Sequence, residues 1–183
     1  MVSRSLSLAA LAIALLISIM ESAAQETVSH LLAGDSLPLL TGHSLSGDAV
    51  ELPSEARGRR AVILFSFSRE GGQRAKDWIQ HLSLEIPGVS IYSVVFLETV
   101  PGPFRGVVAS GIKSRTPQQQ QGRTLLVYTK TNAWKQQLQS CDLEDVCVLL
   151  LKPDSHIGWM TGGSFSANRD QALRSQLSFV GHE

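Results

Sequence analysis

The spacing of apolar positions changes several times along the chain, and each change marks an element. Residues 61–67, AVILFSF, form a nearly unbroken apolar run. Such a run predicts a strand buried on both faces. The next stretch switches period: Ala75, Trp78, Ile79 and Leu82 recur at i, i+3, i+4 and i+7. That is one face of a helix, with Gln73, Arg74, Lys76, Asp77, Gln80 and His81 on the other face. Pro87-Gly88 ends it. VSIYSVVFL (89–97), TLLVYT (124–129) and VCVLLLK (146–152) predict three more strands from their β-branched and aromatic content.

The connecting stretches complete the order. SLPLLTGHSLSGDAVELP predicts two short strands around a Ser46-Gly47-Asp48 turn. The segment after Leu97 is rich in proline and glycine, with one short helix expected through residues 104–112. The Gln118–Gln121 run is expected in a solvated loop. Residues 132–140 predict a short helix with Asn132 as N-cap and Trp134 and Leu138 on one face. Pro153 to His156 turn into an edge strand, IGWMTGG. SANRDQALRSQL then closes as a helix capped by Ser166, with Ala172, Leu173 and Leu177 facing inward. Strands alternating with helices in the order βαβ, then βαββα, predict an α/β fold: a central mixed β-sheet flanked by helices.

The N-terminus follows another logic. MVSRSLSLAALAIALLISIMESAAQE carries one early cation, Arg4, then an apolar run from Leu8 to Met20, then Ser22-Ala23-Ala24. This is the n-region, h-region and small-residue cleavage site of a secretory signal. The apolar run has 13 residues, against the ~20 that a spanning helix needs. An uncleaved anchor is the alternative. The expected organisation is a signal peptide at 1–24, a linker at 25–36 and a folded domain at 37–180. The expected location is periplasmic or secreted, without stable membrane insertion after cleavage.

Charge excludes more than it suggests. Without Arg4 and Glu21, 15 basic and 15 acidic side chains remain. That balance supplies no excess of Lys and Arg for nucleic acid and no polybasic segment for anionic lipid. The five histidines (His30, His43, His81, His156, His182) show no metal-ligand spacing. No metal or other cofactor is expected. Two cysteines remain, Cys141 and Cys147, and an oxidising compartment permits them to pair.

The order of elements resembles the thioredoxin-like superfamily, in particular its exported TlpA-type and peroxiredoxin-like branch. The likeness spans roughly Leu37 to Leu177. The opening LPLLTGHSLSGDAVELPSEARGRRAVILFSF resembles that branch's N-terminal β-hairpin extension and first core strand. DWIQHL resembles the helix after the active-site turn, and VLLLKPDSHIGWMTGG the terminal hairpin. VILFSFSREGGQRAKDWI and the terminal hairpin, with Trp78 and Trp159, are most similar to the mitochondrial ATP-synthase assembly factors, which also lack the paired cysteines. The resemblance implies a thioredoxin-like fold and a non-catalytic habit, and it does not carry over those proteins' client.

The central departure lies at the helix start. Thioredoxin chemistry needs a CxxC there, where the helix start lowers the attacking thiol's pKa and the second thiol resolves the mixed disulfide. Here Glu70 and Gln73 stand in those places, within Arg69-Glu70-Gly71-Gly72-Gln73. No peroxidatic cysteine is near. Three functions remain open. The first is a redox-inactive domain binding a protein or extended peptide, in an accessory or assembly role, through a groove lined by Arg69, Glu70, Gly71, Gly72, Gln73, Val146 and Cys147, with Trp159 on an edge strand that accepts a partner strand. The second is an atypical thiol-disulfide oxidoreductase with Cys141 and Cys147 as its catalytic pair. The third is a small anionic ligand bound at the Glu70-Gly71-Gly72 turn. For the cysteines, a structural disulfide, two buried thiols and a working redox pair all stay open. The resemblance further implies a cis-proline before the fourth core strand, a place that falls here on Val146 or Cys147. A thiol at Cys147 would then stand close to Glu70.

Overall fold

The computed structural model describes residues 30–86 and 88–179. The expected signal segment lies outside the described residues. Seven strands form one sheet: β1 (Leu40–Ser44), β2 (Ala49–Leu52), β3 (Ala61–Ser66), β4 (Ser90–Phe96), β5 (Thr124–Val127), β6 (Val146–Leu151) and β7 (Ile157–Gly162). Their order across the sheet is β2-β1-β5-β4-β3-β6-β7. The pairs β3–β4 and β4–β5 are parallel, while β3–β6, β6–β7, β1–β5 and β1–β2 are antiparallel. Among the described residues five α-helices accompany the sheet: α1 (Arg69–Glu85), α2 (Arg105–Lys113), α3 (Gln118–Gln121), α4 (Thr131–Gln137) and α5 (Ala167–Phe179). This is the mixed-sheet α/β architecture expected.

The alternation of side chains along the strands sorts the core into two layers. On one face Val62 and Leu64 of β3 meet Ala75, Trp78 and Leu82 of α1 and Leu173 of α5. On the other, Ile63 and Phe65 meet Trp134 and Leu138, with Leu31 and Leu37 from the N-terminal stretch. All six residues of β3 and all six of β6 are buried, which is why both read as unbroken apolar runs. Trp78 is fully buried, and its indole N–H donates to the Gly163 carbonyl at 3.1 Å. Burying a side chain of this kind contributes about 1.5–3 kcal/mol. Among the described residues the buried apolar core begins at Leu31.

His30 to Leu37 are tied to the domain by their backbone. Leu31 N–H donates to Gln137 O (2.8 Å), Gly34 N–H to Ile157 O (2.8 Å), and Ile157 N–H to Asp35 O (2.8 Å). Gly47 sits at φ +106° in the β1–β2 turn, a conformation glycine adopts without a Cβ penalty.

Two local expectations are corrected. Gln118–Gln121 is a one-turn helix rather than a solvated loop, and Gln120 is buried. Its side-chain N–H donates to Ile91 O at 2.9 Å, and its carbonyl accepts the Thr124 hydroxyl at 3.0 Å. Nor does Asn132 cap α4. The helix begins at Thr131, preceded by Lys130 in the left-handed region (φ 57°). The cap comes from elsewhere: Glu98 Oε2 accepts the Thr131 N–H at 2.8 Å. The Thr131 hydroxyl and then its backbone N–H, both facing the carboxyl, hold the exposed Glu98 below its ordinary pKa.

Candidate functional site

β3 runs out at Ser66 and the chain crosses to α1 through Phe67 and Ser68. Ser68 is extended (φ −130°, ψ 168°) and caps the helix, its hydroxyl oxygen accepting the Gly71 N–H at 2.9 Å. The same hydroxyl donates to the Glu144 carbonyl at 3.0 Å. One side chain therefore satisfies a helix-start N–H and fastens the segment that leads into β6. Arg69 to Gln73 are the first turn of α1 itself. Arg69, Glu70 and Gln73 are exposed, and Gly71 is buried.

What covers Gly71 is the Asp145 peptide. A Cβ at Gly71 would lie 2.6 Å from Asp145 O and 3.2 Å from its carbonyl carbon. Only glycine allows that approach. Asp145 itself is buried and fully engaged. Its Oδ1 accepts the Val146 N–H at 2.7 Å, and its Oδ2 pairs with Arg74 Nη1 at 2.6 Å and accepts the Ser164 hydroxyl at 3.4 Å. Ser164 O accepts from Arg169 Nη1 at 2.8 Å, and Val146 O accepts from Gly163 N–H at 2.9 Å. The head of α1, the start of β6 and the end of β7 thus form one closed polar network.

This closure corrects the expected groove. Val146 is fully buried and Cys147 nearly so, at 1% exposure, so neither lines an accessible surface. They also point apart, because adjacent strand residues face opposite sides of a sheet. Val146 packs with α1, whereas Cys147 packs with Phe65, Trp134 and Leu138. The expectation that Cys147 stands beside Glu70 therefore fails. The only cis peptide among the described residues is Leu52–Pro53, not one ahead of β6. Trp159 is half-buried against the α1 face and pairs with Leu150. Leu150 lies four residues along β6 from Val146, about 13 Å at strand spacing. Trp159 and the head of α1 are separate surfaces.

The cysteines form a disulfide, Cys141–Cys147, with Cα atoms 5.5 Å apart. It ties the chain just past α4 to the start of β6. Cys141 is 5% exposed. Both sulfurs sit in the aromatic layer with Trp134 and Phe65, whose rings lie 5.4 Å apart.

The same geometry bears on ligands. The Gly71 and Gly72 N–H groups, which an anion at the helix start would use, are bonded to the Ser68 hydroxyl and carbonyl. A shallow cleft lies between Leu39, Val127 and Trp134 rather than at this turn. Among the described residues no three His, Cys, Asp or Glu side chains gather as metal ligands. Sequence reasoning missed Ser68, Arg74, Asp145 and Ser164. Ser68 carries a local signal, a capping residue directly ahead of a helix. Arg74 and Asp145 lie too far apart in the chain to announce their pairing.

Comparison with solved structures supports this description of the fold. A protein described as a thiol:disulfide interchange protein DsbE, from Chlorobium tepidum, superposes with a TM-score of 0.60 at 15% identity, covering 81% of this chain and 97% of that one. A peroxiredoxin-like protein from Aquifex aeolicus gives 0.54 at 11% identity, with 82% and 89% covered. BsSco, a member of the Sco family of cytochrome c oxidase assembly proteins, gives 0.57 at 12% identity, with 86% and 100% covered. No protein-family model matches the chain, and no curated protein sequence matches it. Likeness at this level of identity concerns the fold alone, and the fold is thioredoxin-like.

Proposed function

We propose that this chain is an exported, redox-inactive thioredoxin-like domain that binds a protein or extended peptide in an accessory or assembly role. One observation carries the reading. The helix start where such folds hold reactive thiols has no sulfur, and the two cysteines form a buried disulfide in the opposite layer. A dithiol must reach one sulfur in line to break a disulfide, and burial withholds both. With the groove beside α1 occupied by Glu144 and Asp145, the outer edge of β7, one of the two edge strands of the sheet, is a surface open to an extended partner. The N-terminal stretch pairs with the chain there at Ser155, His156 and Ile157. Beyond that, no described strand covers it. Strand addition there would place Trp159 beside the incoming segment.

The rival reading, a thiol-disulfide oxidoreductase using Cys141 and Cys147, is favoured by the bond itself and by the neighbours' described activity. In that reaction a reduced dithiol would give two electrons to the bond, leaving two protein thiols and a new disulfide on the donor. A redox titration with thiol labelling, run alongside insulin-disulfide reduction, separates the two. The expected result is a pair resistant to below about −300 mV with no insulin turnover. A pair titrating between about −120 and −230 mV and turning over insulin would overturn the proposal.

A further inference from the structure

Away from α1, His156 has a hydroxyl at one ring nitrogen and a carboxylate at the other. The Ser36 hydroxyl oxygen lies 3.2 Å from His156 Nε2, and Asp154 Oδ2 lies 3.4 Å from His156 Nδ1. Ser36 and His156 are 120 residues apart in the chain, so no spacing in the sequence announces the three together.

The backbone fixes this arrangement. Ser36 and His156 form an antiparallel bridge between the N-terminal stretch and the entrance to β7. Leu37 N–H donates to Ser155 O at 3.1 Å on one side of the bridge, and Ile157 N–H to Asp35 O at 2.8 Å on the other. A pair bracketed in this way brings its two side chains close together on one face. Asp154 and His156 share a tight turn, in which Lys152 N–H donates to His156 O at 2.9 Å and Ser155 N–H to Lys152 O at 3.0 Å. Within that turn Asp154 Oδ1 accepts the His156 N–H at 3.1 Å.

The chemistry follows from the contacts. The His156 backbone N–H, and then charge from His156 and Lys152, hold the exposed Asp154 carboxyl below its ordinary pKa. An ionised carboxylate can only accept, so it favours the ring proton on Nδ1 and leaves Nε2 to accept from the Ser36 hydroxyl. Nδ1 is shut off from solvent and hydrogen-bonds to nothing, so the carboxylate it faces decides which nitrogen is protonated. Ser36 itself is exposed. A hydroxyl within reach of a base that a third group orients is the arrangement that makes serine a nucleophile.

From this geometry we infer that Ser36 is an activated nucleophile, with His156 as its general base and Asp154 as the residue that positions the base. It takes small acyl esters with a good leaving group. An exposed hydroxyl that does not line the shallow cleft at Leu39 and Trp134 selects by reactivity rather than by shape. Ser36 Oγ forms a bond to the acyl carbon as its proton passes to His156 Nε2. The bond from that carbon to the leaving oxygen breaks, and the proton leaves with the alcohol. Water then adds by the same route, releasing a carboxylic acid and restoring the Ser36 hydroxyl. The site does not rest on the strand-addition reading.

The test treats the whole chain with p-nitrophenyl acetate and, separately, with a fluorophosphonate, and locates the adduct by peptide mass spectrometry. The expected result is modification at Ser36 by both reagents, absent in Ser36→Ala. His156→Ala should slow it about a hundredfold, as loss of a general base does, and added imidazole should restore part of the rate. Asp154→Asn should slow it about fivefold, the worth of an exposed ion pair, and Asp154→Glu should recover part of that loss. The Ser36 side chain is exposed, and those of His156 and Asp154 are 43% and 62% exposed; thermal melts verify that each variant folds. A folded parent that is not modified, is modified equally at other serines, or keeps its Ser36 rate in His156→Ala overturns the inference. Equal losses in Asp154→Asn and Asp154→Glu overturn the role given to Asp154.

Discussion

Val146 and Cys147 are neighbours in the chain, yet they belong to regions held by different physics. On the Val146 side the loop entering β6 is fastened to α1 by polar contacts: the Ser68 hydroxyl on Glu144 O, the Asp145 peptide on Gly71, and the Arg74–Asp145 pair. On the Cys147 side the same loop is closed by a covalent bond inside an aromatic layer. Here both sides are shut, and the loop that shuts them belongs to the chain itself. Retaining a fold and retaining its working surface are separate matters.

The comparison can be broken most directly at the two adjacent glycines of α1. Gly71→Ala places a methyl group 2.6 Å from a backbone oxygen held from both sides, and the overpacking should cost about 1–3 kcal/mol in urea denaturation. Gly72→Ala meets nothing within 4 Å and should stabilise the helix by about 0.5–1 kcal/mol. Equal effects at the two positions would mean that the Asp145 loop does not rest on α1 in solution. Cys141→Ala with Cys147→Ala should cost about 2 kcal/mol, because the bond closes a short loop. If both fastenings restrain one segment, the disulfide and Gly71 changes combined will depart from additivity.

The smallest effect concerns pH. The Glu98 carboxyl is held below its ordinary value by the Thr131 hydroxyl and backbone N–H that face it. Its contribution is therefore complete above the unfolded-state pKa of about 4.3 and is lost as pH falls through the lower folded-state value. Thermal melts across the acid range should show Glu98→Gln with a flatter acid limb than the parent. An unchanged limb would remove Glu98 as the cap of α4.

The apolar runs of β3, β4 and β6 and the i, i+3, i+4, i+7 face of α1 were legible because burial on two faces or one leaves a periodic trace. The layer assignment of Cys147 followed from the same alternation once the register of β6 against β3 was fixed. What escaped was polar and long-range. Gln120 looks like a solvated residue until its amide is seen on Ile91 O. Asn132 has the right chemistry for a cap, but a carboxylate 33 residues before Thr131 supplies it. Asp145 reads as a turn residue, and nothing near it in sequence indicates Arg74, Gly71 or Ser164.

The Asp145 peptide against Gly71 also sets terms for descent and for engineering. Cysteines grafted at Glu70 and Gln73 would stand at a helix start, where thiolates are favoured. They would not by themselves make an accessible thiol site, because Glu144 and the Asp145 peptide lie against this helix start. Thiol chemistry at this helix start would require two changes in distant parts of the gene, one to supply sulfur and one to move the loop. Neither change suffices without the other.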